Sequence, residues 1–75
     1  MDTNKFYKIR YNLNGRDFVY RGIYLGRDGN LISVNEMVNG QMLFNEANVI
    51  TITEITDEDE ILEIQQKIKN RGDAA

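Results

Sequence analysis

Apolar and polar residues alternate strictly from Phe6 to Leu13. Tyr7, Ile9, Tyr11 and Leu13 fall on one side, with Lys8, Arg10 and Asn12 on the other. A sustained period of two predicts a strand with one buried face. Asn14-Gly15 follows, a pair that tolerates positive φ at both turn positions and favours a type I′ hairpin, so the chain is expected to turn straight back. The next run, Phe18–Leu25, is apolar on both sides. Phe18, Tyr20 and Tyr24 share a face with Gly22 and Gly26, while Val19, Ile23 and Leu25 share the other with Arg21. Glycine inside a strand marks a bulge or bend. The run therefore reads as a long, bent second strand contributing to two halves of one barrel, with Gly22 as the corner where the core-facing side switches.

The turn Arg27-Asp28-Gly29-Asn30 separates this strand from Leu31–Val38, where Ile32 and Val34 oppose Ser33 and Asn35. Val38-Asn39-Gly40-Gln41 predicts a second tight hairpin into a short fourth strand, Met42–Phe44. Asn45–Asn48 breaks the pattern and suits a single 3₁₀ turn, and Val49–Ile55, rich in β-branched residues, reads as a fifth strand. From Thr56 the period changes to about 3.6. Thr56 with Asp59 three residues on resembles a capping box. Acidic residues at 57–60 and basic ones at 67, 69 and 71 complement the two ends of a helix dipole. Ile61, Ile64 and Ile68, with Leu62 beside them, form one apolar stripe, and Asn70–Gly72 ends the helix. The expected fold is thus mainly β: a five-stranded antiparallel small barrel over 5–55, a C-terminal helix over 56–71 and a frayed tail at 72–75, all one domain.

Composition narrows the chemistry. A chain of 75 residues buries only about 60% of its unfolded surface, so its core is thin and oligomerisation is a natural compensation. With no Cys and no His, it lacks thiolate ligands, a cysteine nucleophile, the commonest metal ligand and the usual general base. Ser33, the one serine, has no histidine to activate it. Asp57–Glu60 lacks the Gly-containing spacing of a calcium loop and fits a helix N-terminus instead. These features point away from an enzyme and predict no cofactor and no metal. No apolar run approaches the roughly 20 residues that span a bilayer, and Met1–Lys5 lacks the layout of a secretory signal, so a soluble, cytoplasmic protein is expected.

The net charge of −3 conceals a strong asymmetry. Residues 1–30 carry six basic side chains against three acidic ones, whereas residues 31–66 carry eight acidic and no basic. A basic face on the first two strands, next to a concentration of aromatics there, would suit single-stranded nucleic acid. Solvated surface charge, with the aromatics filling the interior, accounts for the same residues.

The order of elements resembles the Sm-like small barrels, the group that includes LSm proteins and the RNA chaperone Hfq, over about residues 6–55. SH3-like barrels share much of the pattern. Asp28-Gly29-Asn30-Leu31 is similar to the family's Asp, then Asn-Leu, after its second strand. Leu43-Phe44-Asn45-Glu46-Ala47-Asn48-Val49 is similar to its second motif, an apolar pair, Arg-Gly, then Asn-Val. Asn45-Glu46 stands where that family's RNA-contacting Arg-Gly would be, and the helix is C-terminal rather than N-terminal. The resemblance implies Asn30 and Asn48 as base contacts. Two functions follow. The first is a non-enzymatic interaction module that self-associates or binds another protein, with Ile61, Leu62, Ile64 and Ile68 as interface. The second is an oligomer binding RNA or a small nucleotide through Arg10, Tyr20, Arg21, Arg27, Asn30 and Asn48.

Overall fold

The structure is a computed structural model and describes residues 1–71; the tail expected at 72–75 lies outside them. The chain is mainly β, with five strands in one antiparallel sheet and one C-terminal helix. In order these are β1 (Phe6–Leu13), β2 (Arg16–Asp28), β3 (Leu31–Glu36), β4 (Gly40–Asn45), a 3₁₀ turn (Glu46–Asn48), β5 (Val49–Glu54) and α1 (Glu58–Asn70). The sheet order is β4-β3-β2-β1-β5. Each hairpin places consecutive strands side by side, while β5 crosses to the far side of β1, so β4 and β5 are the two edges.

The Asn14-Gly15 hairpin forms as its sequence dictates, with φ of 54° and 80° at the two turn residues. The second hairpin differs. Its connection is Met37–Asn39, and Gly40, at φ 83°, is the first residue of β4, paired with Glu36. The Glu36 carboxylate explains this shape: Oε1 accepts from Val38 N at 2.9 Å and Asn39 N at 2.6 Å, tying the turn back to the strand that enters it.

The second strand is long, as expected, and pairs with β1 through residues 16–23 and with β3 through 22–28 in one sheet. The role given to Gly22 needs correction. Pairing with β1 runs unbroken through Arg21, Gly22 and Ile23, and Tyr20 and Tyr24, on either side of Gly22, both pack on the core side. The register shift lies at Tyr24/Gly26 instead, where Leu25 is the extra residue. Gly22 is required for another reason, the closeness of β3: a Cβ there would come within 2.3 Å of Asn35 O.

One face of the bent sheet carries the core, formed by Tyr7 and Ile9 of β1, Tyr24 of β2, Ile32 and Val34 of β3 and Phe44 of β4. Tyr11, Tyr20, Met42, Val49 and Ile52 pack around it. Aromatic rings meet edge-on or tilted there, Phe44 lying 5.1 Å from Tyr11 and 5.2 Å from Tyr20 between centroids. Most of the aromatics are therefore spent on packing, one of the two roles their positions allowed.

The helix covers part of the opposite, outer face. Glu60 in its first turn pairs with Arg21, and Arg71 at its end donates to Asn35 Oδ1 at 2.8 Å and to the Glu36 carbonyl. Alternation places Arg21 and Asn35 on the outer face, in the same stretch as Phe6 and Ile23, which pair with each other. Ile64, fully buried, and Ile55 belong to this second packing layer and not to the main core. The helix N-cap is Asp57, not Thr56: its carboxylate accepts from Asp59 N at 2.8 Å and Glu60 N at 3.2 Å. An ionised cap also interacts with the helix dipole, which a threonine hydroxyl does not do as strongly. At the other end Arg71 is right-handed helical, its N–H bonding Ile68 O.

Candidate interaction surface

The nucleic-acid residues suggested by sequence separate into three places. Arg10 and Arg21 lie on the outer face. The Nη2 of Arg10 is 3.0 Å from Asp17 Oδ2, and Asn12 Nδ2 bonds the other oxygen of that carboxylate at 2.9 Å. The hydrogen bond from Asn12, followed by that from Arg10, holds the Asp17 carboxyl below the ordinary carboxylate range. The Nε of Arg21 is buried and lies 3.0 Å from Glu60 Oε2, an ion pair without hydrogen-bond alignment. Tyr20 packs against the core, with its ring over Phe18 and against Phe44, so its faces are largely taken.

Arg27, Asn30 and Asn48 do come together, around the 3₁₀ turn. The Nη2 of Arg27 pairs with Glu46 Oε1 at 2.9 Å, and Glu46 N donates to Asn30 O at 2.8 Å. The hydroxyl of Tyr11 accepts from Asn45 N at 3.3 Å and Asn48 Nδ2 at 3.4 Å. Glu46, read from sequence as a charge in the wrong place for RNA, is here the partner of Arg27. All three candidate arginines thus face a carboxylate, and in two of the pairs, Arg21–Glu60 and Arg27–Glu46, the basic first part of the chain meets the acidic second part. Lys5–Glu54 is a further pair of this kind, at 3.9 Å.

Of the helix stripe, Ile64 is buried within this chain, Ile61 and Ile68 are half-buried, and Leu62, 56% exposed, points away. The stripe is engaged mainly by the protein's own sheet. Between the helix and the β3–β4 turn lies an open cleft of about 460 Å³ bordered by Met37, Val38, Glu63 and Lys67. Among the described residues there is no cluster of acidic side chains able to hold a metal ion, and no helix is long and apolar enough to cross a membrane.

The surface that sequence reasoning passed over is β4. Gly-Gln-Met-Leu-Phe-Asn has no charge and no proline, yet it forms a sheet edge, where proteins ordinarily place such residues to block further pairing. Leu43 is 60% exposed on its outer face, diagonal to the exposed Leu31 of β3, with the exposed Leu25 of β2 nearby. The signal was a short uncharged strand after a hairpin, but nothing in sequence says that β4 is an edge. Compared with known protein families, curated proteins and solved structures, the chain matches none of them.

Proposed function

We propose that this protein is a non-enzymatic interaction module that associates with itself by adding a strand to an open sheet edge. The observation that carries this reading is the uncharged, proline-free β4 edge with Leu43 exposed beside it. In this reading the bent sheet is an open barrel of the SH3-like or Sm-like kind, its seam lying between β4 and β5. A thin core in a chain of 75 residues adds a motive, since association buries apolar surface that one copy leaves in water. The test is light scattering across a wide concentration range. A mass above 8.7 kDa that rises with concentration and persists in high salt is expected. A chain that stays monomeric throughout refutes the reading.

A second reading, RNA or nucleotide binding, draws support from the gathering of Arg27, Asn30 and Asn48 at the 3₁₀ turn. It requires Arg27 to exchange Glu46 for a phosphate. Fluorescence anisotropy with a labelled single strand tests it: binding that weakens steeply with salt supports it, and none at low salt ends it.

A further inference from the structure

The direction of the backbone groups on the two sheet edges decides which edge fits which. On β4, Asn45 N–H points away from β3, because it reaches Tyr11 OH. Along a strand this direction alternates, so the free edge presents N–H and C=O of Gln41, Leu43 and Asn45, while Met42 and Phe44 bond toward β3. The three outward residues have their side chains on the outer face, since Met42 and Phe44 face the core. On β5, Ile55 N bonds Phe6 O. Alternation then turns Thr53 toward β1 and leaves Ile52 and Glu54 with outward groups. Ile52 packs with the core, and Glu54 shares its side of the strand.

Antiparallel strands set residues of the same face opposite one another, and opposed residues either both bond across the pair or both do not. The free groups of β4 belong to outer-face residues, and those of the regular part of β5 to core-face residues. An antiparallel β4–β5 junction that kept the two faces aligned would oppose bonding residues with non-bonding ones. Two copies of β4 have no such conflict. A two-fold axis through Met42 opposes Gln41 with Leu43 of the second copy, and Leu43 with its Gln41, matching the N–H and C=O of both residues on each chain. It leaves Asn45 N–H on Tyr11 OH and brings the two Met42 side chains together on the core side. No charge is buried, because β4 has none. β5 has Glu54 on its edge, and its ladder to β1 is interrupted opposite Arg10/Tyr11.

We infer that the partner of the β4 edge is β4 of a second copy, in an isologous dimer centred on Met42. This inference rests on the self-association proposed above and specifies its geometry. The chain has no native cysteine, so engineered ones report cleanly. Met42→Cys would place two thiols on a non-bonded antiparallel pair, with Cα atoms about 4.5 Å apart, within disulfide reach. Under mild oxidation, rapid conversion to a covalent dimer is expected. As Met42 touches the core, a mixture of Gln41→Cys and mass-tagged Leu43→Cys chains, both altered only on exposed side chains, gives the same test without disturbing packing. Mixed disulfides should form well beyond the share that random pairing of equal amounts of the two variants would give. Wild-type protein that associates while neither experiment cross-links, or in which Met42→Cys pairs only with Ile52→Cys, overturns the β4–β4 geometry and leaves self-association standing. A strictly monomeric wild type removes both.

Discussion

Replacing Gly22 tests how closely β2 and β3 must approach. A Cβ at this position would lie 2.3 Å from Asn35 O, 2.8 Å from Glu36 Cα and 2.9 Å from Asn35 C. All three are backbone atoms, so no side chain can rotate aside and β3 itself must move. Overpacking a well-filled site costs about 1–3 kcal/mol, and a clash with backbone belongs at the top of that range. Alanine returns part of this, up to about 1 kcal/mol, by narrowing the unfolded ensemble. The net loss for Gly22→Ala is then about 2 kcal/mol. For 75 residues the whole stability is about 4–11 kcal/mol, so the loss is serious but survivable. In a domain of this size it corresponds to a melting temperature lower by about 8–16 °C. Gly22→Val, with two more carbons in the same place, should not fold. Thermal melts followed by circular dichroism, with the exposed Val38→Ala as reference, measure both. A Gly22→Ala melt within about 4 °C of wild type refutes the close-approach argument.

Ile64→Asp should abolish cooperative melting by setting a charge in the layer between α1 and the sheet, whereas Leu62→Asp should shift stability by less than about 0.5 kcal/mol; equal effects would mean that the helix is not docked. Glu36→Ala strips two backbone N–H groups of their acceptor in the β3–β4 turn and should cost about 1–3 kcal/mol in chemical denaturation, with faster amide exchange at Val38 and Asn39. A turn that keeps its protection would show that Glu36 is dispensable. Asp17 has a lowered pKa in the fold, so its contribution is present above the unfolded pKa and is lost as pH falls through the folded value. Asn12→Ala should move its titration, followed by carbon NMR, back toward the ordinary range, and an unmoved curve would contradict the hydrogen-bond cause.

The strands were legible because their determinants are local. Alternation in Phe6–Leu13 and the Asn14-Gly15 turn specify β1 and its hairpin without reference to the rest of the chain, and both form where expected. The 3₁₀ turn and the helix were legible for the same reason. Errors arose where a distant residue decides. Gly22 looks like a corner from its neighbours alone, and only the position of Asn35 shows that it is a point of close approach. Asn39-Gly40 looks like a two-residue turn, until the Glu36 carboxylate recruits the N–H groups of Val38 and Asn39 and lengthens it.

Charge shows the same limit at the level of function. Six basic residues in the first thirty suggest a surface waiting for phosphate, if the two ends of the sequence are considered apart. Folding sets β1 between β2 and β5 and lays α1 over the outer face, so the basic and acidic parts of the chain become neighbours. Lys5, Arg21 and Arg27 find Glu54, Glu60 and Glu46. Such partly exposed pairs contribute little to stability, but each occupies a cation that a phosphate would otherwise meet. Removing the partner is therefore more informative than removing the cation. If the nucleic-acid reading holds, Glu46→Gln should free Arg27 beside Asn30 and Asn48 and strengthen single-strand binding at low salt. If β4 is the working surface, the same substitution should leave the association state unchanged, because Glu46 lies beyond the end of that strand.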